Sequence, residues 1–344
     1  MALPVKTDLA PMEAASVEEI PTGSGWQYEP KWDGFRCIAF RDGDDVDLRS
    51  KAGQPLGRYF PELVTAVRAV KAKRFVLDGE IVIPQGEALS FDDLLQRIHP
   101  AASRVNKLAA ATPAWLVVFD LLADEKGESL VALPLRERRE RLERFAEKNL
   151  GETPSLRLSP ASTKLDVAQQ WYGSVGASLD GLIAKKIDAA YAAGERTGMV
   201  KIKPVRTADC VIGGFRYAEK KKGEVGSLLL GLYDAAGLLH HVGFCSGLKA
   251  AERPALTKKL EAVRGGAGFT GKAPGGPSRW STKRSTEWEP LQPKLVVEVS
   301  FDHVTGDRFR HGTSLLRWRP DKKPEQCTME QLRQKKSRAL EWLR

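Results

Sequence analysis

The stretch YEPKWDGFR, residues 28–36, sets one lysine between an acidic strand end and an Asp-Gly pair. A lysine amine acts as a nucleophile only after it loses its proton, and burial or neighbouring cations favour that loss. Gly34 permits a tight turn that a side chain would hinder. Lys31 is therefore the candidate nucleophile, and the same stretch adds Asp33 and Arg36 to the candidate catalytic group.

Cations elsewhere in the sequence could surround this lysine. In VKIKP (200–204), Lys201 and Lys203 alternate, so both side chains point to one face of a strand. Arg36 and Arg49 could meet phosphates through bidentate hydrogen bonds. Taken alone, VKIKP also fits a solvated strand edge.

Two acidic positions complete the constellation. Glu80 ends LDGE (77–80), and Asp180 begins DGLIAKK (180–186). Two carboxylates near a phosphate indicate a divalent metal, because Mg²⁺ prefers oxygen ligands and substrate phosphates. LDGE alone could equally be a strand followed by a turn, so the ordered set carries more weight than any one of its members.

Composition narrows the class of protein. The 344 residues include 54 Lys and Arg against 44 Asp and Glu, a net charge of +10, which fits either a polyanion partner or a solvated basic surface. No apolar run approaches the roughly 20 residues of a membrane span, and residues 1–20 lack the apolar stretch of a signal peptide, so a cytoplasmic protein is expected. The four cysteines lie too far apart for a zinc site or a disulfide framework.

The hydrophobic pattern predicts two domains, residues 1–205 and 206–344. In the first, three alternating segments (26–30, 35–40 and 45–49) predict a meander with a turn at Asp42-Gly43. Further strands are predicted at 75–83, 114–122, 181–187 and 199–205, and helices at 59–73, 91–98, 134–151 and 164–176.

After Val205 the pattern changes to short strand-like segments around one helix at 252–263. This arrangement predicts a small β-barrel, for which the OB-fold is the natural candidate. Residues 328–344 predict a terminal amphipathic helix. The basic Gly/Pro-rich loop 265–285 is either a surface insertion or a clamp on phosphates.

KWDGFR (31–36) resembles the KxDGxR signature of the covalent nucleotidyltransferases, the superfamily of DNA ligases, RNA ligases and mRNA capping enzymes. The later motifs of that family follow in order over about residues 26–322: LDGE, VFDLL (118–122), DGLIAKK, VKIKP and RWRPDK (317–322). The compact form is similar to small bacterial ATP-dependent DNA ligases of the ligase C type and to the ligase portion of ligase D. The resemblance implies an α+β fold: an N-terminal nucleotidyltransferase domain of ATP-grasp-like antiparallel sheets with helices, and a C-terminal OB-fold β-barrel.

The resemblance also implies a reaction. Lys31 would attack the α-phosphorus of ATP, the AMP donor, giving lysyl-AMP and pyrophosphate with Mg²⁺ or Mn²⁺ as the metal. The AMP would pass to the 5′-phosphate of a nick in duplex DNA, and the 3′-hydroxyl would then seal the strand. The resemblance favours a role in DNA repair. A monomer in the bacterial cytoplasm, at the nucleoid, is expected, and no protein partner can be named.

Roles for individual residues follow from the matched motifs. Glu29 would read the adenine amino group, Phe119 would stack on the base, and Glu80 would hold the ribose or, with Asp180, the metal. Three arginines would bind ribose or phosphates: Arg36, Arg49 and Arg196. Lys201 and Lys203 would neutralise charge on the α-phosphate. The last motif would orient pyrophosphate through Arg317, Arg319, Asp321 and Lys322.

One departure and several alternatives remain open. Asp180 stands where most of the family has Glu, and its shorter side chain leaves both the metal ligand and the choice between Mg²⁺ and Mn²⁺ unsettled.

The cysteine pattern does not fit the zinc module of NAD-dependent ligases, which favours ATP. An RNA ligase or a capping-type guanylyltransferase shares the chemistry. A non-catalytic nucleic-acid-binding protein or a basic structural protein would belong to a different class.

Overall fold

The computed structural model of the chain describes residues 2–176, 178–219, 221, 223–275, 287–333 and 339–343. The chain divides into two compact units. The first unit combines residues 1–204 with 334–344, and the second spans residues 205–333.

The first unit contains eleven strands and five α-helices among the described residues. The strands are Ala15–Val17 (β1), Trp26–Trp32 (β2), Phe35–Asp42 (β3), Asp45–Ser50 (β4), Arg74–Val82 (β5), Pro84–Gln85 (β6), Ala88–Leu89 (β7), Trp115–Ala123 (β8), Leu156–Leu158 (β9), Leu179–Lys186 (β10) and Met199–Ile202 (β11). The helices are Pro61–Ala69 (α1), Phe91–Gln96 (α2), Ala102–Ala111 (α3), Leu135–Asn149 (α4) and Leu165–Gly173 (α5).

Two mainly antiparallel sheets build this unit. One has the order β1-β11-β10-β2, and the other has the order β4-β3-β5-β8-β9. The predicted hairpin at Asp42-Gly43 is confirmed, since Asp42 pairs with Asp45 and Gly43 has a φ of 64°. The predicted three-strand meander is wrong, because β2 pairs with β10 in the other sheet. The alternation of Trp26, Tyr28 and Trp32 with polar residues indicates which face of β2 is apolar, but it does not specify which strand pairs with it.

The five-stranded sheet is buried on both faces. Cys37 and Ala39 contribute to the apolar core that includes residues of α1 and α4. Ile38 and Phe40 alternate with them and pack on the other face with Met12, Tyr191 and Met199. The alternation places the second face of this sheet towards the four-stranded sheet.

A buried ion pair ties β8 to α4. Asp120 and Arg138 are 3% and 1% exposed, and the guanidinium donates from Nε and Nη2 to the two carboxylate oxygens at 2.9 and 3.0 Å. The aspartate of VFDLL therefore has a structural partner.

Replacing Asp120 with asparagine is expected to lower the free energy of unfolding by about 3 kcal/mol, because a buried guanidinium would lose its counter-charge. Urea denaturation followed by circular dichroism measures this loss. Asp188→Asn is the control: its pair with Arg136 is solvent-exposed, and such pairs contribute about 0–1 kcal/mol. Equal losses in the two variants would contradict the structural role of Asp120.

The second unit is β-rich, as the sequence predicts. Its strands are Arg206–Tyr217 (β12), Val225–Tyr233 (β13), Leu239–Cys245 (β14), Glu289–Pro290 (β15), Val296–Phe301 (β16), Val304–Thr305 (β17), Arg308–Phe309 (β18) and Ser314–Trp318 (β19). The helix Arg253–Glu261 (α6) follows a 3₁₀ turn at Ala250–Glu252. The main sheet has the antiparallel order β14-β13-β12-β16-β19, with β15 joined to β12.

The end of the chain differs from the prediction. Residues 328–344 are expected as one amphipathic helix of the second domain, but the described residues form 3₁₀ turns at Met329–Leu332 and Ala339–Leu343. Leu340 and Leu343 pack with Trp32 and Leu179 in an apolar cluster of the first unit. The apolar spacing of this segment thus reflects docking onto a distant part of the sequence, which local periodicity cannot reveal.

Within the part of the chain that the structure describes, no helix has both the length and the apolar character needed to cross a membrane.

Candidate active site

A cavity of about 220 Å³, here called the central cavity, lies between the two sheets of the first unit. Strands β2, β10 and β11 supply one wall, and β3, β5 and β8 supply the other. The segment before β1 and the turn after β4 complete it. The lining residues are Pro11, Met12, Glu13, Ala14, Glu29, Pro30, Lys31, Trp32, Arg36, Lys51, Glu80, Phe119, Ile183, Lys185, Met199 and Lys201.

Strand register explains why Glu29, Lys31 and Lys201 meet in this cavity. Glu29 pairs with Ile183, which in turn pairs with Lys201 on the next strand. Lys31 lies two residues beyond Glu29 and therefore points to the same face. Tyr28, Leu182 and Ile202, which have the opposite parity, pack on the far face in a separate apolar cluster. The alternation predicted for these motifs is present.

Two motif glycines are required by close backbone approaches. A Cβ atom on Gly34 would collide with the carbonyl oxygen of Ile81 and would lie 2.9 Å from Glu80 Cγ. Gly181 has a φ of 150°, and a Cβ there would collide with the carbonyl oxygen of Ile202. Because glycine tolerates both constraints, these two positions let neighbouring strands carry Lys31 and Glu80 into one cavity.

Asp180 holds two of the predicted lysines. The buried carboxylate forms an ion pair with Lys31, and its Oδ2 lies 2.9 Å from Lys203 Nζ. Burial lowers the pKa of Lys201, and the charges of Lys203 and Lys31 lower it further. Lys31, the carboxylate that contacts it and further cations therefore form one cluster.

Glu80 faces the cavity from β5. Burial raises the pKa of its carboxyl to about 7, against the opposing effects of Lys31 and Arg36. A carboxyl with a pKa near neutrality changes charge easily when a cation or a hydroxyl donor enters the cavity.

Glu29 and Phe119 lie at the more enclosed part of the wall. Glu29 is 2% exposed and accepts hydrogen bonds from Gln27 Nε2 at 2.7 Å and Lys185 Nζ at 2.8 Å. The Lys185 ammonium also lies 4.7 Å from the centroid of the Phe119 ring. Lys185 was missed at the level of sequence, although its spacing from Ile183 places it on the cavity face.

The predicted arginines divide between two environments. Arg36 lines the cavity and forms a bidentate pair with the buried Asp78, with both N–O distances at 2.6 Å. Arg49 pairs with Asp47 and Arg196 pairs with Glu13, and neither they nor Asp33 belongs to the described cavity wall. The lysine after β4, Lys51, lines the cavity instead.

The motif RWRPDK forms an ion-pair network within the second unit. Asp209 of β12 accepts from Arg319 Nη1 at 2.8 Å and from Lys322 Nζ at 2.6 Å. Arg319 also pairs with Asp321, whose pKa it lowers to about 2. Arg317 pairs with Glu298 of β16. Asp209 was not predicted from the sequence.

The basic loop 265–285 is described only as far as residue 275, so most of the predicted phosphate clamp lies outside the described residues.

The central cavity suits an anionic ligand that carries phosphates, because lysines and carboxylates line it. A lysine amine in this cavity could attack such a phosphate.

Comparisons with known proteins agree with this chemistry. The family model described as ATP dependent DNA ligase domain matches residues 11–203, and the model for the ATP dependent DNA ligase C terminal region matches residues 221–322. DNA ligase C1 of Mycolicibacterium smegmatis is 44% identical, with 96% of each chain covered.

Two further relatives extend the comparison. The multifunctional non-homologous end joining protein LigD of Mycobacterium bovis is 30% identical over 89% of this chain and 38% of its own. A solved structure from a study of Lig E DNA ligases has the same fold, with a TM-score of 0.54, 17% identity, and coverage of 90% of this chain and 99% of its own. The two resemblances stated from the motifs are confirmed, as are the mixed α+β first domain and the OB-type second domain. The chain belongs to the ATP-dependent DNA ligase family.

Proposed function

We propose that this protein seals nicks between a 3′-hydroxyl and a 5′-phosphate in duplex DNA, with ATP as the AMP donor and Lys31 as the nucleophile. The observation that carries the proposal is the position of Lys31 in the central cavity, in contact with Asp180 and beside Lys201. Lys31 Nζ forms a bond to the α-phosphorus while pyrophosphate leaves with the electron pair of the broken bond. The 5′-phosphate of the nick then takes the AMP from Lys31. The 3′-hydroxyl attacks last and releases AMP.

The enclosed side of the cavity accommodates the nucleoside. A carboxylate has about four acceptor sites, so Glu29 can bind an exocyclic amine while it keeps its bonds to Gln27 and Lys185. Phe119 offers an aromatic surface for the base. This pairing favours adenine, whose amino group is a donor where guanine carries an acceptor.

The cations act on the phosphates. Lys201 faces the cavity and neutralises charge that develops on the α-phosphate, while Lys203 acts next to Asp180. Arg36 and Lys51 face the same space. Arg49 and Arg196 keep the ribose or phosphate roles assigned by resemblance only if they leave their carboxylate partners.

A divalent cation fits the Glu80 side of the cavity. A partly buried carboxyl with a pKa near 7 gains its charge readily beside a cation, and its oxygens suit Mg²⁺ or Mn²⁺. When bound, the ion would supply positive charge to the nucleotide phosphates. Asp180 is already paired with two ammonium groups, so we assign it first to positioning Lys31 and Lys203.

In the second unit, Arg317, Arg319, Asp321 and Lys322 would orient the departing pyrophosphate. Arg319 and Lys322 pair with Asp209, and Arg317 pairs with Glu298, so ion pairs within this unit order the motif. The net charge of +10 suits binding to the phosphates of nicked DNA.

The proposal is tested by two linked assays. Covalent labelling is measured with α-labelled ATP, GTP or NAD and a divalent metal, and sealing is then measured on nicked DNA and nicked RNA duplexes. Labelling by ATP and sealing of DNA support the proposal. Labelling by GTP would indicate a capping enzyme, and preference for an RNA nick would indicate an RNA ligase. Absence of labelling even after treatment with pyrophosphate, which removes AMP already bound, would overturn it.

Glu80 predicts a pH dependence of nucleotide binding. The affinity of Lys31→Ala protein for ATP with Mg²⁺ is expected to rise about tenfold between one pH unit below and one pH unit above the pKa of Glu80, because Glu80 becomes ionised over this range. Loss of the Lys31 charge, which lowers the pKa of Glu80, places that range above the pKa of about 7 in the wild-type protein. Isothermal titration calorimetry at several pH values measures this change, and the alanine variant excludes covalent turnover.

Glu80→Gln in the same background provides the control. Its pH profile retains only the titration of ATP itself, so the difference between the two profiles reports Glu80. Superimposable profiles would show that ionised Glu80 does not contribute to binding.

A further inference from the structure

Tyr191 lies outside every sequence motif, yet it is connected to the central cavity by hydrogen bonds. Its side chain is 4% exposed. The hydroxyl donates to Asp78 Oδ2 at 2.6 Å and accepts from the backbone N–H of Met12 at 3.0 Å. The pKa of Tyr191 is well above its ordinary value because of burial and Asp78, so the hydroxyl remains a donor at neutral pH.

Asp78 links this hydroxyl to the opposite wall. The carboxylate is fully buried and accepts from Arg36 Nε and Nη2, both at 2.6 Å. Arg36 Nη2 also donates to the backbone carbonyl of Met12 at 3.3 Å, and its guanidinium carbon lies 4.6 Å from the centroid of the Phe119 ring. Tyr191 and Arg36 thus hold the two polar groups of the Met12 backbone, while both contact Asp78.

The segment Pro11–Ala14 forms one wall of the central cavity. Backbone bonds from Gly194 to Pro11 and from Glu13 to Glu195 attach it to the loop that follows Tyr191. Beyond it, β1 pairs in parallel with β11, the strand that carries Lys201. The segment therefore connects the network around Asp78 to the strand that bears a predicted catalytic lysine.

We propose that Tyr191 is a positioning residue that fixes Met12 and Arg36, so that Pro11–Ala14 closes the cavity against the nucleoside of ATP. This inference rests on the proposed function, since it names the contact surface of the same nucleotide site. The Tyr191 hydroxyl orders the cavity wall at Pro11–Ala14 before the reaction begins, and it does not contact the reacting atoms. Its loss weakens nucleotide binding more than it slows the attack by Lys31.

The test is Tyr191→Phe, which removes one oxygen and keeps the ring in the core. The initial rate of lysyl-AMP formation is measured over a range of ATP concentrations. The KM for ATP is expected to rise about tenfold, the effect of losing a hydrogen bond to a charged group, while kcat changes less than about threefold.

Tyr28→Phe is the matched control. Tyr28 is equally buried, and its hydroxyl donates to the carbonyl oxygen of Pro21 at 2.7 Å, but the ring lies on the face of β2 away from the cavity. Its KM is expected to stay at the wild-type value. An unchanged KM for Tyr191→Phe, or an equal rise in both variants, would overturn the proposal.

A measurement on the unmodified protein keeps the test independent of variant folding. Hydrogen exchange of the peptide that covers residues 11–14 is expected to slow when ATP binds, because the wall packs on the nucleoside. Exchange that does not respond to ATP would overturn the inference while covalent labelling of Lys31 still stands. Failure of the wild-type protein to become labelled would instead remove the proposed function, and this inference with it.

Discussion

Lys31→Ala protein is expected to show no covalent label from α-labelled ATP, a loss of at least ~10³-fold relative to wild type. Lys31 lies in the central cavity in contact with Asp180, and the strand register places it two residues from Glu29 on the same face. An alanine methyl group cannot form a bond to phosphorus, and water in its place would give free AMP without a protein adduct. Denaturing gel electrophoresis after a timed incubation measures the adduct.

The control for this prediction is Lys186→Ala. Lys186 ends β10, and its ammonium lies 3.9 Å from the centroid of the Trp26 ring, so its loss removes a cation without altering the described cavity wall. It should label at close to the wild-type rate. Lys31→Ala protein should also retain sealing of nicks that already carry AMP, since that step does not use the amine. An adduct that persists in Lys31→Ala would assign the nucleophile to another residue.

The sequence predicts the helices and strands of this fold better than it predicts which strands pair with each other. The run AWLVVFDLL becomes the buried strand β8, and Pro134 opens α4, because length, apolar character and a proline at the helix start are local properties. Strand β2 was assigned to the wrong sheet, since pairing depends on residues about 150 positions away. The helix α3 and the short strand β1 were missed: α3 buries only Val105 and Ala109, and β1 has only three residues.

In the candidate site, too, local side-chain direction was predictable and contacts between distant segments were not. Alternation in VKIKP predicted that Lys201 and Lys203 would share a face. The structure places Lys201 on the cavity wall and Lys203 against Asp180, and it adds Glu29 and Lys31 to that wall. The sequence could not show that Lys51, and not Arg49, lines the cavity. The two residues have the same strand parity, but Arg49 lies in β4 and Lys51 lies in the turn that follows it. Tyr191 had no signal at all, since a single tyrosine in an Ala-rich loop is indistinguishable from a core residue until its partner Asp78 is known.

Lys201→Met is expected to slow lysyl-AMP formation by about 10²- to 10³-fold with a smaller change in KM for ATP. Lys201 faces the cavity, and burial lowers its pKa, so its charge is only partly hydrated and acts strongly on a nearby phosphate. Charge builds on the α-phosphate oxygens mainly in the transition state, which places the loss in kcat. Single-turnover labelling at saturating ATP measures that step directly.

Lys201→Arg separates charge from shape. If a cation at this position is the requirement, arginine should recover part of the lost rate, whereas methionine preserves length and apolar packing without charge. Lys186→Met supplies a matched loss of a cation from the adjacent strand of the same sheet, outside the cavity wall. A Lys201→Met protein that labels as fast as Lys186→Met would mean that other cations, such as Lys203 and Arg36, supply the needed charge, and that the alternation in VKIKP reflects the geometry of β11 alone.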